Sequence, residues 1–428
     1  MRAAAPFVET PFRTMSSVGR LRVLFIHQNF PGQFRHLASY LARHADYQVK
    51  AIGREAAPGL PGVPMVRYRP HRERSPATHP YLRSCEDGIL SGQAVAKVML
   101  GLKSAGWVPD VVVAHPGWGE SLFVKDIFPS ARLIHFCEYF YRAEGADVGF
   151  DPAHAVALDD RARTRSRNAL HLLALDACDI GICPTYWQHS LHPPEYHSKL
   201  QVVHEGIDTD FLGPDPAANF PLADGRVLTR RDEIVTYVAR NLEPYRGFPQ
   251  FMRTVEKLQR ARPDVHVVIA GGDEVSYGTR PKDGPNWRAK VLRELLLDPE
   301  RTHFVGKLPY AQYVRLLQVS RVHVYLTYPF VLSWSMLEAM ACGCVVIGSD
   351  TAPVREVIRH RENGYLVDFF DSQAQFAQLS EVLENQGGQE ALRARARYTI
   401  RDRYGVRTGT ERYLELIGSH AVGVTPAI

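Results

Sequence analysis

Apolar residues in this chain come in short, near-continuous runs, separated by stretches in which they recur every three or four positions. LRVLFI at 21–26 is the first such run, and others lie at 47–52, 109–114, 132–136, 179–183 and 199–203. Runs of this length and character predict parallel strands buried on both faces. Phe34, Leu37, Ala38 and Leu41 share one helical face after a turn at Pro31 and Gly32, and helices are predicted at 89–103, 159–178 and 186–191. PGWGESLFVKDIFP, from Pro116, reads as a glycine-bounded helix. The rhythm restarts with strands at 234–239, 265–270, 303–305, 322–326 and 345–347, and with helices at 249–261, 287–297 and 310–317. Between the two series, 213–231 carries Pro, Asp and Gly without periodicity and predicts a hinge. Residues 53–85, rich in Pro and Arg, predict an irregular excursion. The expectation is an α/β protein of two doubly wound domains, 20–212 and 232–404, facing across a cleft. Residues 1–19 read as a disordered lead-in, and 405–428 as a final helix, placed to cross back to the first domain, and a tail.

The most informative stretch is Tyr328 to Asp350, YPFVLSWSMLEAMACGCVVIGSD. Ser333 or Ser335 can cap a helix whose stripe is Met336, Leu337, Met340 and Ala341, and Gly343 ends it before a buried strand. A helix amino terminus then opens beside a strand end, where α/β proteins bind phosphates. Glu338 has two readings: a ligand for ribose hydroxyls, or the carboxylate of a Ser335-x-x-Glu338 capping box. His115 and Glu138 each fall just past a predicted strand end, on the edge where sites form in this architecture, and Gly32 allows close backbone approach there.

Bulk properties narrow the field. With 428 residues, 45% hydrophobic and 23% charged, the composition is that of a globular protein. No run approaches the 18 or so apolar residues of a membrane span. Six scattered cysteines, none in a zinc-type C-x2-C pair, predict reduced thiols and a cytoplasmic setting. A net charge of +5 without recognition-helix or finger spacing predicts no nucleic-acid partner. Basic residues cluster at Arg67, Arg69, His71, Arg72 and Arg74 and at Arg161, Arg163, Arg165 and Arg167. They read as a solvated face or as a surface for an anionic membrane or a phosphorylated acceptor.

LEAMACGCVVIGSD, ENGYLVD, EGIDTDF and RNLEPYRGF, in that fold context, resemble the retaining glycosyltransferases of family 4, over about 21–416. FIHQNFPGQFRHL and AHPGWGE look like a subgroup with its own first domain. The resemblance implies the GT-B fold, two Rossmann-like domains with a nucleotide-sugar between them. It implies that Arg240 and Arg246 clamp the donor diphosphate, where fixed cations stabilise growing leaving-group charge. It also implies that Glu338 binds ribose, that Gly306 lies beside the base, and that Gly32 lies near phosphate and sugar. Ser333, Trp334 and Ser335 would line the donor site at the helix start. The chain departs from the family at the first acid of E-x7-E, which is Phe330 here, so that either Glu138 or His115 takes its part or the donor sugar sits differently. No Asp-x-Asp follows a strand, so the expectation is catalysis without an essential metal and without a resident cofactor. UDP- or GDP-sugar is the expected donor. The expected acceptor is a glycan or lipid-linked glycan of the cell envelope, met in the cytoplasm or at the inner membrane face. A sugar-nucleotide epimerase on the same fold and a degenerate binding subunit remain alternatives, separated by whether an acceptor is needed and whether sugar is transferred at all.

Overall fold

LRVLFI forms the centre of a parallel sheet because both of its faces are covered, and Val23 to Ile26 are wholly buried. The computed structural model describes residues 20–385 and 387–418; the expected lead-in at 1–19 and the end of the tail lie outside them. In chain order the first sheet holds β1 (Leu21–Ile26), β2 (Tyr47–Arg54), β3 (Met65–Tyr68), β4 (Val111–Ala114), β5 (Arg132–Phe136), β6 (Ile180–Cys183) and β7 (Leu200–Val202). Its spatial order is β3-β2-β1-β4-β5-β6-β7, and every pairing is parallel. A short antiparallel ribbon follows, β8 (Asn219–Pro221) with β9 (Val227–Thr229). The second sheet is built from β10 (Glu233–Asn241), β11 (Val265–Gly272), β12 (Thr302–Gly306), β13 (Val322–Tyr325), β14 (Val345–Ser349) and β15 (Tyr365–Val367), ordered β12-β11-β10-β13-β14-β15 and again all parallel.

Helices cover both sheets with the predicted stripes. Arg35–Arg43 buries Leu37, Ala38 and Leu41, and Phe248–Ala261 buries Phe251, Met252, Val255 and Leu258. Several boundaries differ from the sequence reading. The Arg-rich excursion contains β3, half exposed at the sheet edge and therefore without an apolar run. Residues 213–231 are not structureless: Phe220 and Leu228 of the ribbon pack on Leu316 and Val319 of the second domain. The helix expected at 159–178 is two helices, Leu158–Arg167 and Ala169–Ala177. Asn168 between them exchanges two hydrogen bonds with the Tyr141 backbone, anchoring the preceding loop. The glycine-bounded segment splits into a 3-10 turn, Pro116–Trp118, and a short helix, Val124–Ile127.

The chain passes between the domains twice, and the passages are bonded together. Ile207 N donates to Tyr404 O at 2.7 Å, and Val406 N donates to Ile207 O at 2.9 Å. The last helix, Val406–Ile417, buries Tyr413, Leu414 and Ile417 in the core of the first domain. Among the described residues no helix is long and apolar enough to cross a membrane.

Candidate active site

Strands β1, β4 and β5 are neighbours in register, so the residues just beyond their ends, His27, His115 and Glu138, meet on one edge. Local bonds fix each group. His27 Nδ1 accepts from Asn29 N at 2.9 Å, which leaves Nε2–H to donate to Gln33 Oε1 at 2.9 Å. That sets the Gln33 amide so that its Nε2 donates to Glu138 Oε1 at 2.8 Å. His115 Nδ1 accepts from Gly117 N, directing Nε2–H at Glu138 Oε2, 3.4 Å away, though off the hydrogen-bond line. The His115 ring stacks on Trp118 with centroids 4.4 Å apart. Burial raises the Glu138 carboxyl, but the His115 contact and the Gln33 amide more than offset this, leaving it below the usual carboxylate range. Burial, then the charge of His115, lowers His27 to about 3, so it is a neutral donor. Gly32 serves this group directly: at φ +48° its Cβ would fall 2.5 Å from His27 Nε2.

Across the cleft, the neighbouring strands β10 and β13 bring Arg246 to Tyr325. Arg246 Nη1 donates to Tyr325 Oη at 2.9 Å and to Thr327 Oγ1 at 2.8 Å. Tyr325 Oη also accepts from Ser333 N at 2.8 Å, tying the guanidinium to the amino terminus of the helix Trp334–Ala341. Burial works against the Arg246 charge, but the phenols of Tyr325 and Tyr277 hold its pKa above the ordinary value. Among the described residues no carboxylate pairs with it. Tyr277 lies over it at 5.5 Å, on a loop whose backbone is fixed by buried Glu243, which accepts from Ser276, Tyr277 and Gly278 N–H. Arg240, at the end of β10, is exposed and carries no ion pair among the described residues.

The helix start corrects the capping-box reading. Ser333 is the N-cap, its Oγ accepting from Ser335 N at 3.3 Å, while the Glu338 carboxylate takes no backbone N–H among the described residues. Its two oxygens accept from Tyr310 Oη at 2.8 Å and Tyr313 Oη at 2.6 Å. Burial raises the Glu338 carboxyl, opposed by those two phenols and by Arg35. Trp334 turns away from this cluster: its indole donates to Glu205 of the boundary segment at 2.5 Å. Gly306 ends β12 at φ +67°, with nothing within 4 Å of where a Cβ would sit. Asp208, first of the Asp208-x-Asp210 pair in EGIDTDF between the domains, caps its own turn, accepting from Asp210 N and Phe211 N.

Two family models match the chain in succession. Glycosyl transferase family 4 group matches residues 45–212, and Glycosyl transferases group 1 matches 224–402. The chain belongs to the family 4, group 1 glycosyltransferases. Among curated relatives, a D-inositol 3-phosphate glycosyltransferase of Mycolicibacterium gilvum is 28% identical over 193 residues, 45% of this chain and 41% of the relative. An N-acetyl-alpha-D-glucosaminyl L-malate synthase of Bacillus anthracis is 27% identical over 124 residues, 28% of this chain and 32% of the relative. This chain thus spans less than half the length of the curated relatives it matches. Solved structures match over nearly all of it. Sucrose-phosphate synthase from Thermosynechococcus elongatus has a TM-score of 0.70 at 16% identity, covering 93% of this chain and 98% of that one. Anabaena HepE, solved with UDP-glucose, has a TM-score of 0.66 at 14% identity, covering 93% and 100%. At those identities the likeness establishes the GT-B fold.

In this family 4 chain Phe330, the position at which the resemblance implies an acid, is apolar. It is buried among Tyr139, Tyr245 and Tyr277, at ring distances of 4.7, 5.6 and 4.9 Å. The sequence reading passed over His27, Gln33, Tyr325 and the phenols of Tyr310 and Tyr313. His27 was within reach of the strand-end rule already applied to His115 and Glu138. The tyrosines were not, because nothing local shows which side chains their hydroxyls meet.

Proposed function

We propose that this chain transfers a sugar from a nucleotide-sugar donor to an acceptor hydroxyl, with retention at the anomeric carbon. The carrying observation is Arg246: a buried guanidinium without a carboxylate, bonded through Tyr325 to a helix amino terminus. A buried cation is costly unless an anion completes it, and a diphosphate is the anion these groups fit. Exposed Arg240 supplies a second cation as the leaving group gains charge. Solved relatives hold UDP and UDP-glucose, which favours a UDP-sugar here. The nucleoside would lie toward Gly306 and Glu338, and the sugar toward His115 and Glu138. Glu138 is held between an amide and an imidazole, suited to accepting sugar hydroxyls and to countering positive charge at the reacting carbon. The acceptor would attack from the face of the departing diphosphate, which takes up its proton, so no resident metal or cofactor enters the reading.

A glycan or lipid-linked glycan remains the proposed acceptor. The basic segments give an anionic membrane little to hold: Arg72, Arg74, Arg161 and Arg163 are each paired with a carboxylate. Incubation with UDP- and GDP-sugars, with and without oligosaccharide acceptors, tests the reading. An α-linked product from an α-linked donor is expected. An inverted product overturns retention, and an isomerised donor formed without acceptor overturns transfer.

A further inference from the structure

The loop between β5 and the helix Leu158–Arg167 belongs to the first domain in sequence, yet part of it lies on the second. Phe150 packs on Tyr328, Phe369 and Phe370 with centroids 4.9, 5.3 and 5.3 Å away. Three residues earlier, Asp147 is 5% exposed and accepts two phenols. Tyr139 Oη, from its own domain, donates to Oδ1 at 2.7 Å, and Tyr245 Oη, from the second domain, donates to Oδ2 at 2.8 Å. Burial, and then the Asp147 charge, pushes both phenols up. Tyr245 immediately precedes Arg246 in the 3-10 turn Pro244–Arg246. That turn is also held by Tyr328 N donating to Tyr245 O at 3.0 Å, and by the Tyr245 ring stacking on Tyr328 at 4.8 Å. At Gly149, φ is +75° and a Cβ would fall 2.5 Å from Val156, so the bend that presents Asp147 and Phe150 requires glycine.

A buried carboxylate is tolerated only when its oxygens are satisfied. The donors of Asp147 come from opposite sides of the cleft, so both are in place only when the domains are closed. We propose that Asp147 is a positioning residue, the latch of a strap at 144–151 that joins the two domains across the cleft and fixes the turn carrying Arg246. The consequence for chemistry rests on the transferase reading: closure keeps water from the donor sugar, so a broken latch diverts donor to hydrolysis.

Tyr245→Phe is the cleanest variant, because it removes one hydroxyl and leaves the ring packing. It should lower kcat for transfer about tenfold, the worth of one charge-assisted hydrogen bond, with donor KM changed less than about threefold. The ratio of donor hydrolysis to transfer should rise. Asp147→Asn, which removes the charge that both phenols bond to, should behave alike, and the double variant should lose less than the sum of the two, since the single variants share the Tyr245 bond. By small-angle scattering, Tyr245→Phe without donor should have a larger radius of gyration than the wild type. Scattering needs no turnover, so it separates the two readings. A wild type that transfers no sugar, beside a variant that opens, overturns the transferase reading and leaves the latch standing. A wild type that transfers, beside a Tyr245→Phe variant of unchanged size and unchanged hydrolysis ratio, overturns the latch.

Discussion

At the scale of single residues, the proposed transfer rests on Arg246. Its position after β10 was legible, but its lack of an acid partner is visible only once Tyr325 and Thr327 are seen to take its donors. Arg246→Ala should lower turnover at saturating donor by about 10²–10³-fold, as loss of one preorganised contact to developing charge does. Near-wild-type turnover in a steady-state assay would remove it from the site. Glu338 shows the limit of local reading. Spacing allowed either a cap or a ligand, and the observed partners lie on Tyr310–Val319, a helix about 25 residues away in sequence whose phenols no periodicity discloses. Buried histidines give a second residue-level prediction. Burial holds His27 and His323 near 3 and His192 near 4, against 6.5 in the unfolded chain. Below pH 6.5 the unfolded chain binds protons that the folded one does not, so stability falls as pH drops. Each histidine costs about 1.4 kcal/mol per pH unit in that window. Urea midpoints at pH 7.5 and 5.5 should differ clearly, and equal midpoints would contradict the burial.

At the scale of elements, what sequence discloses follows burial. Strands covered on both faces, such as β1, β4, β10 and β14, stood out as apolar runs. β3 did not, because the edge of a sheet leaves Val66 and Arg67 in water. The break at Asn168 was hidden because helical periodicity continues through it and only its bonds to Tyr141 betray the turn. The turn after β1 couples fold to site, since Gly32 makes room for the ring of His27. Gly32→Ala should destabilise the protein by about 1–3 kcal/mol, combining left-handed strain with overpacking. It should also depress turnover, because His27 positions Gln33 and through it Glu138. A variant with unchanged denaturant midpoint and turnover would show that the ring yields freely.

At the scale of the whole molecule, two domains were legible and their mutual contacts were not, because each contact joins residues distant in sequence. Glu356 of the second domain accepts from Tyr186 N at 2.9 Å and Trp187 N at 2.8 Å of the first. Trp334 reaches Glu205, and Asp147 reaches Tyr245. These contacts join the two domains, which is what the proposed donor site between them requires. Thermal unfolding of the purified protein with UDP, GDP, ADP and TDP and their sugars tests that requirement most directly, since a ligand of the folded state raises the midpoint by mass action. One nucleotide class should stabilise the wild type, and its effect should vanish in Arg246→Ala and weaken in Glu338→Ala. No shift with any nucleotide, or equal shifts in wild type and Arg246→Ala, would contradict a donor diphosphate held at Arg246.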